Sequence, residues 1–127
     1  MSKAAPRDEG AFAMATMSIR IDLSESGRLG PGKVLLLERI AEHGSISAAG
    51  RSMEMSYRRA WELVADINAS FKKPLVASQP GGRQGGGAKL TQLGGELVAH
   101  YRAIEREARL AVAPHLKALE AAAARRA

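Results

Sequence analysis

The chain has 127 residues, with 19 Lys and Arg against 13 Asp and Glu, a formal charge of +6 and a pI near 10.2. That length fits one domain of ~100–200 residues, and the basic balance points to an anionic partner, nucleic acid or a membrane surface. The lack of cysteine excludes a disulfide scaffold, a cysteine nucleophile and a thiolate zinc site, and aromatics at 4 % argue against a stacking platform for single strands.

Ala11–Ile19 is the only apolar stretch near the start. It is about half the ~18 residues a membrane span needs, and Asp8 and Glu9 precede it where a signal peptide carries only positive charge. Residues 1–16 are expected to be a disordered leader, with no membrane partner and a cytoplasmic location. Met17–Leu23 alternates apolar Met17, Ile19, Ile21 and Leu23 with polar residues, the period of a strand with one buried face. Ser24–Gly30 reads as a turn-rich break. Pro31 then opens a helix over about 32–42, where a missing N–H costs nothing. Val34, Leu37, Ile40 and Ala41 form its apolar face, with Leu36 beside it, and Gly44 follows its last turn.

Residues 45–53 predict a second short helix, capped by Ser45 or Ser47. A turn at residues 54–56 leads to a third helix over 57–69, preceded by the capping residue Ser56. Ala60, Trp61, Val64 and Ile67 are expected on its inner face. Tyr57, Arg58, Arg59 and Glu62 fall on its outer side. Residues 75–78 and 88–90 read as two strands joined by the glycine-rich segment 79–87, a hairpin with a long tip. Thr91 caps a last helix from about Gln92. Leu93, Leu97, Tyr101, Ile104, Ala108 and Val112 recur on it every three or four residues. Pro114 is expected to kink or end it, with a second alanine-rich helical piece beyond.

The order strand, helix, helix, turn, helix, hairpin, long helix is that of a winged helix-turn-helix, a mainly α fold with a small β-hairpin. Ala48 and Ala49 supply the small residues needed where the two helices cross. Met55 supplies the apolar turn residue. Ser56, Tyr57, Arg58 and Arg59 stand at the start of the second helix, whose side chains reach base edges in the major groove. The alternative is a small helical bundle whose outer faces happen to be basic.

The runs Gly44-Ser45-Ile46-Ser47-Ala48-Ala49 and Met55-Ser56-Tyr57-Arg58-Arg59-Ala60-Trp61, then Asn68, resemble the N-terminal DNA-binding domain of the molybdate-dependent transcriptional regulator (ModE) family. So does the segment from Gly81 to Ala88, followed by Leu90-Thr91 and Gly94. The first helix pair alone also fits LysR-type regulators. The resemblance covers about residues 17–108. It implies a winged helix-turn-helix that dimerises through its terminal helix and reads palindromic DNA. Members of the family carry a C-terminal molybdate-binding region of small β-barrel domains. Here an alanine-rich helical tail follows instead, and molybdate binding by this chain is not expected.

The glycine-rich segment fails as a phosphate-binding P-loop. Gly86 stands five residues after Gly81, but Gly87 follows where that motif requires lysine. The glycines suit a hairpin tip whose backbone approaches a phosphate or a minor groove closely. His43, His100 and His115 are scattered, with no pair at the spacing of two metal ligands on one helical face. No metal, cofactor or catalytic constellation is expected.

The residues thus predict a domain over 17–91 that binds double-stranded DNA, followed by a dimerisation helix and tail over 92–127. Arg58 and Arg59 are candidates for guanine or phosphate contacts, because guanidinium pairs bidentately with either. Ser56 and Tyr57 are candidates for base or phosphate contacts. Ser45 and Ser47 could hold a phosphate at the second helix. Lys72, Lys73, Arg83, Gln84 and Lys89 would anchor the wing. Leu93, Leu97, Tyr101, Ile104, Ala108 and Val112 would form the homodimer interface. The competing reading is a winged-helix module that meets an acidic protein and touches no DNA.

Overall fold

The computed structural model describes residues 15–23, 25, 27–80 and 86–124. Its elements are β1 (Ile21–Leu23), β2 (Gly27–Leu29), α1 (Pro31–His43), α2 (Ile46–Ser52), α3 (Tyr57–Ala69), β3 (Val76–Gln79), β4 (Gly87–Leu90) and α4 (Gln92–Ala122). The expected leader lies outside the described residues up to position 14.

The predicted first strand is shorter than its alternating pattern. Only Ile21–Leu23 pairs, antiparallel to Gly27–Leu29, with Ile21 opposite Leu29. The segment read as a turn therefore contains β2. Three residues that include a glycine carry no periodic signal, yet Leu29 is buried and packs with Val34 and Tyr101.

The first helix starts at Pro31 with Gly30 as its N-cap, and Gly44 closes it in the left-handed conformation at φ 77°. The Gly44 N–H reaches the Ile40 carbonyl at 2.8 Å, an end that favours glycine. Val34, Leu36, Leu37 and Ile40 are buried. Ala41, expected with them, is exposed. Burial on two sides of α1 puts Leu36 in the core and turns Ala41 toward solvent.

Both predicted serine caps form. The Ser45 hydroxyl accepts from the Ala48 N–H, and the Ser56 hydroxyl accepts from the Arg59 N–H, each at 3.0 Å. Met55 packs against the core from the turn, as expected. Glu54 takes φ 59° there, a conformation that costs a non-glycine residue roughly 1–2 kcal/mol. The two helices pack tightly at Gly50, where a Cβ would stand 2.8 Å from the Ala60 Cβ. Ala49 is fully buried beside it.

Trp61 does not join the inner face of α3. Ala60, Val64 and Ile67 are buried, whereas Trp61 is 46 % exposed. One residue turns a helix by about 100°, so a tryptophan adjacent to Ala60 is carried off the buried stripe, onto the side of Tyr57.

The hairpin β3–β4 is antiparallel, with Val76 opposite Leu90 and Gln79 opposite Gly87. It is fixed at its base. The Ala88 N–H reaches the Gly44 carbonyl at 2.9 Å, and the Thr91 N–H reaches the Leu75 carbonyl at 2.9 Å. Thr91 caps α4 through the Gly94 N–H. Gly94 lies against the Leu75 backbone, where any Cβ would meet the Leu75 carbonyl.

Ile19–Ala103 forms one compact unit. Its core is Leu36, Leu37, Ile40, Ile46, Ala49, Ala60, Val64, Ile67, Leu75, Val76 and Ala88. The first turns of α4 belong to it: Leu93 and Leu97 pack on that core, and buried Tyr101 donates its hydroxyl to the Ile19 carbonyl. Residues from Ile104 on fall in a second unit with the N-terminal residues. There α4 continues through Pro114 to Ala122 as one helix rather than two pieces. A proline removes one helical hydrogen bond, and the alanine and leucine around it are the best helix formers. No helix among the described residues is long and apolar enough to cross a membrane.

Candidate nucleic-acid interface

Ser45, Ser47, Tyr57 and Trp61 border one open cleft of about 1120 Å³, whose other wall is the strand pair from Val76 to Gln79 and Gly86 to Ala88. The start of α2, the first two turns of α3 and the base of the hairpin meet there. This brings together the serines of the second helix and Tyr57 of the third.

The caps orient this face. Because Ser56 holds the Arg59 N–H, α3 begins at Tyr57 and projects Tyr57, Arg58 and Arg59 into solvent. Arg58 is 87 % exposed and pairs with Glu62 at 3.2 Å, one helical turn on. A pair that exposed is worth under about 1 kcal/mol and is easily released. Arg59, Lys72, Lys73 and Lys89 have no acidic partner among the described residues. Tyr57 and Trp61 stand edge to face, with ring centroids 6.1 Å apart.

Other predicted residues stand elsewhere. Lys72 and Lys73 are exposed beside a separate hollow of about 580 Å³ with Thr91, Gln92 and Glu96. Lys89 is exposed on β4, where buried Ala88 points the opposite way. Arg83 and Gln84 lie outside the described residues. Of the six predicted dimer residues, Leu93, Leu97 and Tyr101 are covered within their own unit. Ile104 is 41 % exposed, and Ala108 and Val112 are half-buried.

Sequence reasoning missed three residues of this face. Arg51 lines the cleft and donates to the Ser47 hydroxyl at 2.9 Å. The i, i+4 spacing of Ser47 and Arg51 was the available signal. Trp61, expected on the inner face of the third helix, lines the cleft instead. Asn68 lines the floor of the cleft and binds the start of the hairpin, a long-range contact with no local signal. Among the described residues no group of three His, Asp or Glu could hold a metal.

A tightly crossed helix pair, a capped and basic second helix and a hairpin pinned beside it define a winged helix-turn-helix domain. Residues 33–95 match the family described as bacterial regulatory helix-turn-helix protein, lysR family. It is similar to the molybdenum-pterin-binding protein MopA of Rhodobacter capsulatus, 44 % identical over 78 residues, which is 61 % of this chain and 29 % of that protein. It is 40 % identical to the molybdenum transport protein ModE of Azotobacter vinelandii over 94 residues, 74 % of this chain and 34 % of that protein. The DNA-binding transcriptional dual regulator ModE of Escherichia coli K12 is 38 % identical over 71 residues, 56 % of this chain and 27 % of the relative. The chain thus spans about a third or less of the length of these curated relatives.

Proposed function

We propose that the chain binds duplex DNA sequence-specifically, as a homodimeric transcriptional regulator. The observation that carries this is the solvent-facing start of α3, where Tyr57, Arg58 and Arg59 are exposed, Tyr57 borders the cleft with the hairpin, and Arg59 is free of acidic partners among the described residues. A helix of 13 residues enters a major groove about 12 Å wide end-on, and its first turn meets base edges. The hairpin then lies along the adjacent backbone. Similarity to a relative named as a DNA-binding transcriptional dual regulator supports the same reading.

Homodimerisation is the second part of the reading. Ile104, Ala108 and Val112 keep one face of α4 apolar past the compact unit, and a twofold copy is the commonest cover for such a face.

Selection of bound sequences from random duplexes tests the proposal. A palindromic consensus with half-sites about one helical turn apart is expected. Recovery of no consensus, with retention of an acidic protein on the same face, would favour the interaction-module reading.

A further inference from the structure

Trp61 is the only tryptophan of the chain, and it is 46 % exposed on α3. An indole is a costly group to leave in water, and its N–H is a strong donor. That N–H has no acceptor among the described residues, and its ring stands edge to face with Tyr57, itself 60 % exposed. The two rings line the cleft between α3 and the hairpin together with Arg51 and Ser47. The cleft thus sets two aromatic rings beside a guanidinium and a hydroxyl.

We infer that Trp61 contacts the sugar–phosphate backbone of the bound duplex. This rests on the DNA-binding reading above. The backbone is the wall that separates the major groove from the minor groove. A protein whose helix enters one groove and whose hairpin reaches toward the next must receive that wall between them. The cleft lies at that place. The indole face covers the C–H groups of a deoxyribose, and its N–H donates to a phosphate oxygen. Tyr57 supports the ring edge-on, and Arg51 supplies charge from α2. The contact adds affinity without reading sequence.

Trp61 also reports on itself. Retardation of duplex DNA by the wild-type chain comes first; a chain that retards no duplex overturns both this inference and the DNA-binding reading. With binding established, saturating duplex is expected to shift Trp61 emission and to protect it from acrylamide. Trp61→Ala is expected to weaken binding about tenfold, the size of one hydrogen bond to a charged group. The loss should be equal on selected and random duplexes. The salt slope should stay unchanged, since no charge is removed. Trp61→Phe, which keeps a ring and loses the N–H, should lose less. Circular dichroism and thermal melting check that both variants fold. Unchanged emission and quenching on a duplex that the chain demonstrably binds would overturn the inference and leave DNA binding standing. So would full affinity of Trp61→Ala. A loss confined to the selected sequence would overturn the backbone assignment in favour of a base contact.

Discussion

Asn68 acts on the start of the wing as a neighbouring strand would. Its side-chain oxygen accepts from the backbone N–H of Leu75 at 2.9 Å and of Val76 at 3.1 Å, and its amide donates to the Val76 carbonyl at 3.1 Å. The last turn of α3 is thereby locked to the first residues of the hairpin. This lock adds to the backbone bond between Ala88 and Gly44 that holds the returning strand.

Asn68→Leu removes all three bonds and leaves backbone groups without partners. The expected cost is about 2–3 kcal/mol, since a net bond is worth ~1 and an unsatisfied buried group adds to it. Asn68→Asp keeps the acceptor and loses the donor, so it should fall between the two. Urea unfolding of the three proteins checks the order. Equal stability of Asn68→Leu and wild type would show that the wing needs no such lock.

Gly50 sets the crossing of α2 and α3. Alanine is ordinarily preferred to glycine inside a helix by roughly 0.5–1 kcal/mol. Here a Cβ would stand 2.8 Å from the Ala60 Cβ, and a Cβ cannot rotate away. Overpacking of that kind costs about 1–3 kcal/mol, so Gly50→Ala should be destabilising in net. A thermal melt reads the sign. A raised melting temperature would mean that the crossing is looser than the geometry states.

Glu38 and Arg102 join α1 to α4 within the compact unit through two bonds, at 2.6 and 2.9 Å. The hydrogen bond from Arg102 holds the Glu38 carboxyl below its ordinary value, against a smaller opposing effect of burial, and the charges of Arg102 and Arg39 add to the lowering. A depressed folded-state value means that this stabilisation is complete above the ordinary glutamate pKa. It is lost as pH falls through the lowered one. Both side chains are about a third exposed, so the contribution is modest, at most about 1 kcal/mol. Glu38→Gln should be less stable than wild type at pH 7, and the gap should close in acid. A gap that persists unchanged into acid would show that the charge is irrelevant.

Dimerisation is tested on the part of α4 beyond the compact unit. Leu97 packs on the domain core, so its replacement by Asp would unfold the domain and answer nothing. Ile104, at 41 % exposure, is the better site. Ile104→Asp should sediment as a monomer while the wild type sediments as a dimer, with the melting temperature little changed. A wild-type chain that sediments as a monomer would remove homodimerisation from the reading.

The helices were legible because their boundaries are chemical. Ser45, Ser56 and Thr91 cap, Pro31 starts and Gly44 stops, and each does so in the structure. The strand β2 was not legible, because Gly27–Leu29 is held by its partner strand and by burial of Leu29, both long-range. Trp61 misled for another reason. An aromatic at helical spacing reads as core, and only the position of the wing reveals that this edge of α3 faces a cleft. The apolar stripe of α4 misled by half. Periodicity shows that Leu93, Leu97 and Tyr101 are covered without showing by what, and their own domain covers them.

Duplex DNA binding by the face built from α3 and the wing is read from the retardation of one selected duplex by the wild-type chain across a series of salt concentrations. A linear fall of log affinity with log salt is expected, by about 0.9 for each phosphate neutralised. A shallower line and weaker binding are expected when Arg58 and Arg59 are both replaced by Ala. No retardation at low salt, or a line that the double replacement leaves untouched, would contradict binding by that face.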